Sequence, residues 1–172
     1  MPERIIDVPL ESLPFIDEHF IEIAARPETV WKAMVEEVAE AGARATWRRG
    51  AKRLGCVHTE LGGEPGQTGW RVPGFVATRA VEPAVLALMG RHRYATYALI
   101  LTVLEKPSGL ILLGAQTRAE FIGARGKAYR HAVIGTRGHL ILMKGLLRRA
   151  RKRAERARAR PPAGDLLVKS QD

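Results

Sequence analysis

The chain has 172 residues, 46% of them apolar, which is enough for one domain with a hydrophobic core and too short for two. A single cysteine, Cys56, excludes an intramolecular disulfide, and the N-terminal stretch carries acidic residues where a signal peptide needs an apolar centre, which reads as a cytoplasmic, reduced protein. Most of the net charge of +10 sits in the run bounded by Arg148 and Arg160, where eight basic residues meet one acid, Glu155, the pattern of a solvated helix end.

Residues 1–16, with Pro2, Pro9 and Pro14, read as an irregular extension before the domain. The segment "DEHFIEIAA" then alternates His19, Ile21, Ile23 and Ala25 against Glu18, Phe20, Glu22 and Ala24, the period of a half-buried strand. In "RPETVWKAMVEEVAEAG" the period becomes helical. Pro27 suits the first helical position, and Glu28 suits the positive end of the helix dipole. Val30, Trp31, Met34, Val35 and Val38 make the apolar stripe, with Lys32, Glu36, Glu37 and Glu40 expected on the opposite, solvated side and Gly42 at the end. A shorter basic helix is predicted over residues 44–53, carrying Arg44, Arg48, Arg49, Lys52 and Arg53 beside Trp47.

Six short segments with strand character follow, at about 54–61, 67–72, 75–82, 85–90, 95–104 and 109–120, separated by turn sequences such as "GGEPG" and "KPSG". In the last of them Ile111, Leu113, Ala115, Thr117, Ala119 and Phe121 face inward by alternation, while Gln116, Arg118 and Glu120 face out. Short turns between consecutive strands imply an antiparallel meander, because parallel pairing needs long crossovers. The stretch from about residue 126 to 159 has neither proline nor a turn cluster and is predicted as one long helix. Tyr129, Val133, Arg137, Leu140, Lys144 and Leu147 fall on one stripe of it, and Gly135 and Gly138 lie on the far side. Pro161 and Pro162 stop it, so residues 17–159 form the domain and residues 160–172 a tail.

Several chemistries lack their residues. "GK" at Gly126 and Lys127 is followed by Ala128 where a phosphate loop needs Ser or Thr, and Phe121 stands where its first glycine belongs. No HExxH or paired-cysteine pattern supports a metal site, and His131 and His139 are about 12 Å apart along a helix, too far to share an ion. Ser12, Ser108 and Ser170 fall in the extension, a turn and the tail, which gives nucleophilic catalysis little support. No cofactor is expected.

The order of elements, and the wording of "EHFIEIAARPETVWKAM" with its strand and "PxxVW" helix start, resembles the SRPBCC superfamily of START-like and polyketide-cyclase-like proteins. "GRHRYATYALILTVLE" and "TRAEFIGARGKAYRHAVIGTRGHLI" extend the resemblance over roughly residues 17–150. It implies an α+β helix-grip fold: a seven-stranded antiparallel sheet curved around a long C-terminal helix, two short helices after the first strand, and an apolar cavity between sheet and helix. The superfamily has no shared catalytic motif, so the resemblance assigns no catalytic residue.

On this reading the protein binds a small hydrophobic or amphipathic molecule, with His92, Tyr94, Tyr97, Tyr129, Val133 and Arg137 as candidate ligand contacts. The alternative is a cofactor-independent cyclase or dehydratase working in the same cavity, where His92, Tyr94, Tyr129 or Arg137 polarises a carbonyl or moves a proton. A third reading makes the basic run from Arg148 to Arg160 an interaction module that contacts an anionic membrane, peripherally, or nucleic acid. Nucleic acid is disfavoured as a partner, because neither basic cluster carries the alternating aromatic residues of a base-stacking surface.

Overall fold

The computed structural model describes residues 8–133 and 138–159. Six strands form one antiparallel sheet: β1 Phe15–Ile23, β2 Arg71–Val72, β3 Phe75–Val81, β4 Val85–His92, β5 Ala95–Glu105 and β6 Ile111–Phe121, in the order β1-β6-β5-β4-β3-β2. Four helices accompany it: α1 Pro27–Ala43, α2 Ala45–Leu54, α3 Gly123–Val133 and α4 Gly138–Ala159.

Among the described residues the sheet has six strands, not the seven expected from the resemblance. Residues 54–61 join no ladder; they are held by single bonds, from Val57 N–H to the Arg91 carbonyl at 3.0 Å and from Gly74 N–H to the His58 carbonyl at 2.7 Å. The helices following β1 are α1, of 17 residues, and α2, of 10, so the first of them is not short. At the C-terminal end α3 contacts β6, and α4, a helix of 22 residues, packs on α1, β1 and β6.

Residues 134–137, on which the expectation of one continuous helix depends, lie outside the described residues. The buried stripe of α4 is Met143, Leu146, Leu147, Ala150 and Ala154, whereas Lys144, Ile141 and Leu142 are exposed. "LILM" is thus buried on one side only.

The core lies between the concave sheet face and the pair α1 and α4. Ile23, Leu86, Leu101, Ile111 and Leu113 from the strands meet Val30, Met34, Leu147 and Ala150 from the helices. All five residues of the stripe expected for α1 are buried.

Glu37, expected in solvent, is only 2% exposed. It accepts a hydrogen bond from Arg149 Nε, and Arg153 reaches Glu37 at 3.7 Å, Glu36 at 3.2 Å and Glu40 at 2.6 Å. The acidic side of α1 thus faces part of the basic run on α4. Two surfaces that look solvated when each helix is considered alone neutralise one another when the helices pair.

On the convex face, the segment before β1 lies against the sheet, with Leu13 buried on Met89 and Ala98. Arg118 donates to the carbonyls of Glu11 at 3.3 Å and Leu13 at 3.0 Å and holds the segment there.

Candidate functional site

Beyond this core the concave face is not filled. A hollow of about 390 Å³ lies between the distal parts of β4, β5 and β6, helix α2, and the facing sides of α3 and α4. Helix α2 forms one wall because its residues divide by helical spacing. Thr46, Trp47, Gly50, Ala51 and Leu54 line the hollow, while Arg48 and Lys52 turn outward, each 3.0 Å from Glu60. Trp47 Nε1 donates to the Pro73 carbonyl at 2.8 Å and fastens this wall to the rim.

The sheet wall carries His92, Ala95, Tyr97, Leu99, Thr117, Ala119 and Phe121, on the same faces as the core residues further along each strand. Tyr129 of α3 and His139, Leu142 and Met143 of α4 complete the lining. No Asp, Glu, Lys or Arg belongs to it among the described residues.

Two polar groups stand at different levels of the hollow. The first is built on His92, Tyr97, Tyr129 and Cys56. The Tyr94 amide donates to His92 Nδ1 at 3.1 Å, and the His92 ring lies 5.1 Å from that of Tyr97 and 5.0 Å from that of Tyr129. Burial, with a contribution from the Arg93 charge, lowers the His92 pKa below its ordinary value.

Tyr97 donates its hydroxyl to the Gly74 carbonyl at 2.8 Å, and the Cys56 sulfur lies 3.6 Å away. Burial is the main cause raising the pKa of Tyr97 far above the ordinary phenol value, and Cys56 adds to it. Burial likewise raises Tyr129, again with a contribution from Cys56, and raises the Cys56 thiol, which the Tyr97 hydrogen bond partly offsets. At neutral pH all four groups are uncharged.

Gly90 makes this arrangement possible. It stands opposite Tyr97 in the β4–β5 register, and a Cβ there would lie 2.0 Å from the Gly74 carbonyl oxygen and 2.5 Å from the Tyr97 ring. Without a side chain, the chain at Gly74 lies across the sheet and closes the rim.

The second polar group is Thr117 with His139. Thr117 Oγ1 and His139 Nε2 are 2.9 Å apart, and Asp17 Oδ1 lies 3.4 Å from the same nitrogen. Asp17 Oδ1 is otherwise buried without a hydrogen bond, while its other oxygen is 3.2 Å from His19 Nε2. Because hydroxyl and carboxylate converge on one ring nitrogen, they are not in series through the imidazole as a nucleophile triad requires. The cluster can exchange hydrogen bonds with a bound group. Among the described residues, no group of three His, Cys, Asp or Glu side chains converges for a metal ion.

Of the residues singled out from sequence, His92, Tyr97 and Tyr129 come together in the hollow. Tyr94 does not line it; its ring stacks behind Tyr129 at 5.4 Å and borders a separate depression with Arg93 and Arg125. Val133 ends α3, and nothing is described of its side chain. Arg137 lies outside the described residues. Sequence reasoning missed the α2 wall, Cys56, and the cluster of Thr117, His139 and Asp17. The spacing of Trp47, Gly50, Ala51 and Leu54 carried a signal for the first, obscured by the basic residues between them.

An antiparallel sheet with helices across one face, packed at one end and enclosing a hollow at the other, is an α+β architecture. Neither a family model nor a curated protein matches the sequence. Solved structures do match. An aromatase/cyclase from Streptomyces sp. R1128 superposes with a TM-score of 0.54 at 14% identity, covering 86% of this chain and 97% of that one. A Rhodobacter sphaeroides protein matches at a TM-score of 0.48 and 19% identity, over 83% of this chain and 91% of that one. Truncated norcoclaurine synthase from Thalictrum flavum matches at a TM-score of 0.46 and 14% identity, over 79% and 94%. The fold is the SRPBCC, polyketide-cyclase-like fold that the first strand and helix resemble. Among the described residues no helix is long and apolar enough to cross a membrane.

Proposed function

We propose that the protein binds a small hydrophobic or amphipathic molecule in the hollow between the sheet and helices α2, α3 and α4. The observation that carries this is the composition of the void. A chain with 27% charged residues keeps a space of about 390 Å³ free of Asp, Glu, Lys and Arg among its described lining, while the other end of the same sheet face is packed. Apolar walls with a few fixed polar groups are the usual make-up of a small-molecule site, and burying apolar ligand surface contributes about 25 cal/mol per Å².

Native mass spectrometry of protein purified from its own host is expected to show a retained apolar ligand. Folded protein that carries none, and that enhances no apolar dye's fluorescence, would remove the reading.

A second reading, a cyclase or dehydratase, is favoured by Thr117, His139 and Asp17, a proton-exchanging cluster whose first two members line the same hollow. The Streptomyces protein that shares the fold is an aromatase/cyclase. Under this reading His139→Ala abolishes turnover of a bound substrate while leaving its affinity within about threefold. Parallel loss of binding would reduce His139 to a ligand contact.

A further inference from the structure

His92 has a defined tautomer. Its Nδ1 accepts the Tyr94 amide hydrogen, so in the neutral ring the proton is on Nε2. That N–H has no hydrogen-bond partner among the described residues, although His92 is 6% exposed and lines the hollow. The rings of Tyr97 and Tyr129 flank the imidazole and contact it through their ring faces and edges, and the Tyr97 hydroxyl hydrogen goes to the Gly74 carbonyl. His92 therefore presents a donor at the wall of the hollow, where an acceptor on a bound molecule can meet it.

The opposite level is of a different kind. Thr117 and His139 can give or take a hydrogen bond, with Asp17 behind them. In the register of the sheet His92 is level with Ala95, and Thr117 is level with Leu99. Four strand residues separate these levels, about 13 Å. The two polar groups are too far apart to act on one reacting centre but well placed to hold two ends of one ligand. Around them the lining is largely apolar, with Ala119 between the two levels, Phe121 at the level of His92, Leu99 at that of Thr117, and Met143 and Trp47 from the helices. A hollow of this length and volume suits a flat molecule of about two or three fused rings. With no Asp, Glu, Lys or Arg in the described lining, a charged ligand would lose its hydration without a permanent counter-charge beside it.

We infer that the hollow takes a neutral, elongated ring molecule that sets a carbonyl-type acceptor against His92 Nε2–H and a second polar group against Thr117 and His139. This rests on the ligand-binding reading above and adds the ligand's charge, shape and polarity pattern to it.

The test uses prodan, a neutral naphthalene dye with a propionyl group at one end and a dimethylamino group at the other. Its comparators are dimethylaminonaphthalene, which lacks the carbonyl, and dimethylaminonaphthoate, which carries a carboxylate. Fluorescence titration is expected to show prodan binding with blue-shifted emission, weakened about tenfold by His92→Ala, while dimethylaminonaphthalene binds both proteins within about twofold. His92→Gln, which restores an N–H donor at similar reach, recovers part of the loss and guards against a general packing defect. Naphthoate binds at least about tenfold more weakly than prodan.

Equal losses for prodan and dimethylaminonaphthalene, or no loss for prodan, would overturn the role of His92 and leave ligand binding standing. Naphthoate binding as tightly as prodan would overturn the neutral-ligand assignment. If no dye binds the folded wild-type protein, the ligand-binding reading fails, and the inference goes with it.

Discussion

The two ends of the concave sheet face are built from the same strands and end differently. Along β6, Ile111, Leu113 and Ala115 are at most 1% exposed under α1 and α4, while Thr117, Ala119 and Phe121 border the hollow. Along β5, Leu101 and Val103 belong to the packed end, and Ala95 and Tyr97 to the open one. Apolar character does not separate the ends. What stands opposite does. The packed end faces two helices of 17 and 22 residues whose facing alanines, Ala150 and Ala154, allow close approach and whose charged sides pair. The open end faces α2, which has 10 residues and only one buried, Ala51. A cavity here is a place where the chain supplies a wall but no side chains long enough to reach across.

The contrast can be broken most forcefully by truncation. Leu113→Ala is expected to cost about 3–4 kcal/mol in urea denaturation, because a fully enclosed side chain leaves a void that its neighbours only partly fill. Leu99→Ala, at the border of the hollow, should cost about 1–2 kcal/mol, since that side chain already lacks neighbours on one side. Equal costs would mean that the hollow is collapsed in solution.

Next in size is the pairing of α1 with α4. Arg149→Ala leaves the buried Glu37 carboxylate without its main partner and should cost about 2 kcal/mol, with Arg153 retaining part of the interaction. Adding Glu37→Gln should recover roughly 1 kcal/mol of that. Strict additivity in the double-mutant cycle would show that the pair contributes nothing specific. The exposed Arg151–Glu155 pair is a useful contrast, because losing it should cost about 0.5 kcal/mol or less.

The elements of the packed end were largely legible from sequence. The apolar stripe of α1 and the inward face of β6 follow from periods of 3.6 and 2, which the backbone imposes without reference to any other element. The pairing of Glu37 with Arg149 was not, because the two residues are 112 positions apart and each helix, considered alone, shows an ordinary charged side. The open end was legible only in fragments. His92, Tyr97 and Tyr129 stood out as polar groups on suitable elements. Thr117 was placed on the inward face by alternation, but its closeness to His139 joins a strand to a helix 22 positions on, which the period of neither element shows. The seventh strand was misjudged because residues 54–61 have strand-like composition, while their backbone groups find isolated partners in β4 and the rim rather than a ladder.

A smaller effect sharpens the difference between the ends by pH. His92 is held below the ordinary histidine value of 6.5, so on acidification the unfolded chain takes up a proton before the folded one. Stability contributed by neutral His92 is present in full above pH 6.5 and declines as pH falls below it toward the lowered folded value. Chemical denaturation of wild type against His92→Gln should show this component in the wild type alone; identical slopes between pH 7 and pH 5 would assign it elsewhere.

The smallest expected change lies on α2. Nothing lies within 4 Å of a Cβ built on Gly50. Gly50→Ala should therefore raise stability by about 0.5–1 kcal/mol through helix propensity. A loss in thermal denaturation would show that α2 sits closer to the sheet in solution.

The missing side chain at residue 90 also has an evolutionary reading. A lineage can exchange Leu99, Ala119 or Met143 and so retune what the hollow holds, because each of these fills space rather than making it. It cannot give residue 90 a side chain without lifting the Gly74 carbonyl off the sheet and releasing the Tyr97 hydroxyl bound to it. Among chains descended from a common ancestor with this one, glycine here opposite a tyrosine would mark those that kept the same rim around changing contents. Its replacement would mark those whose chain takes another path over the strands.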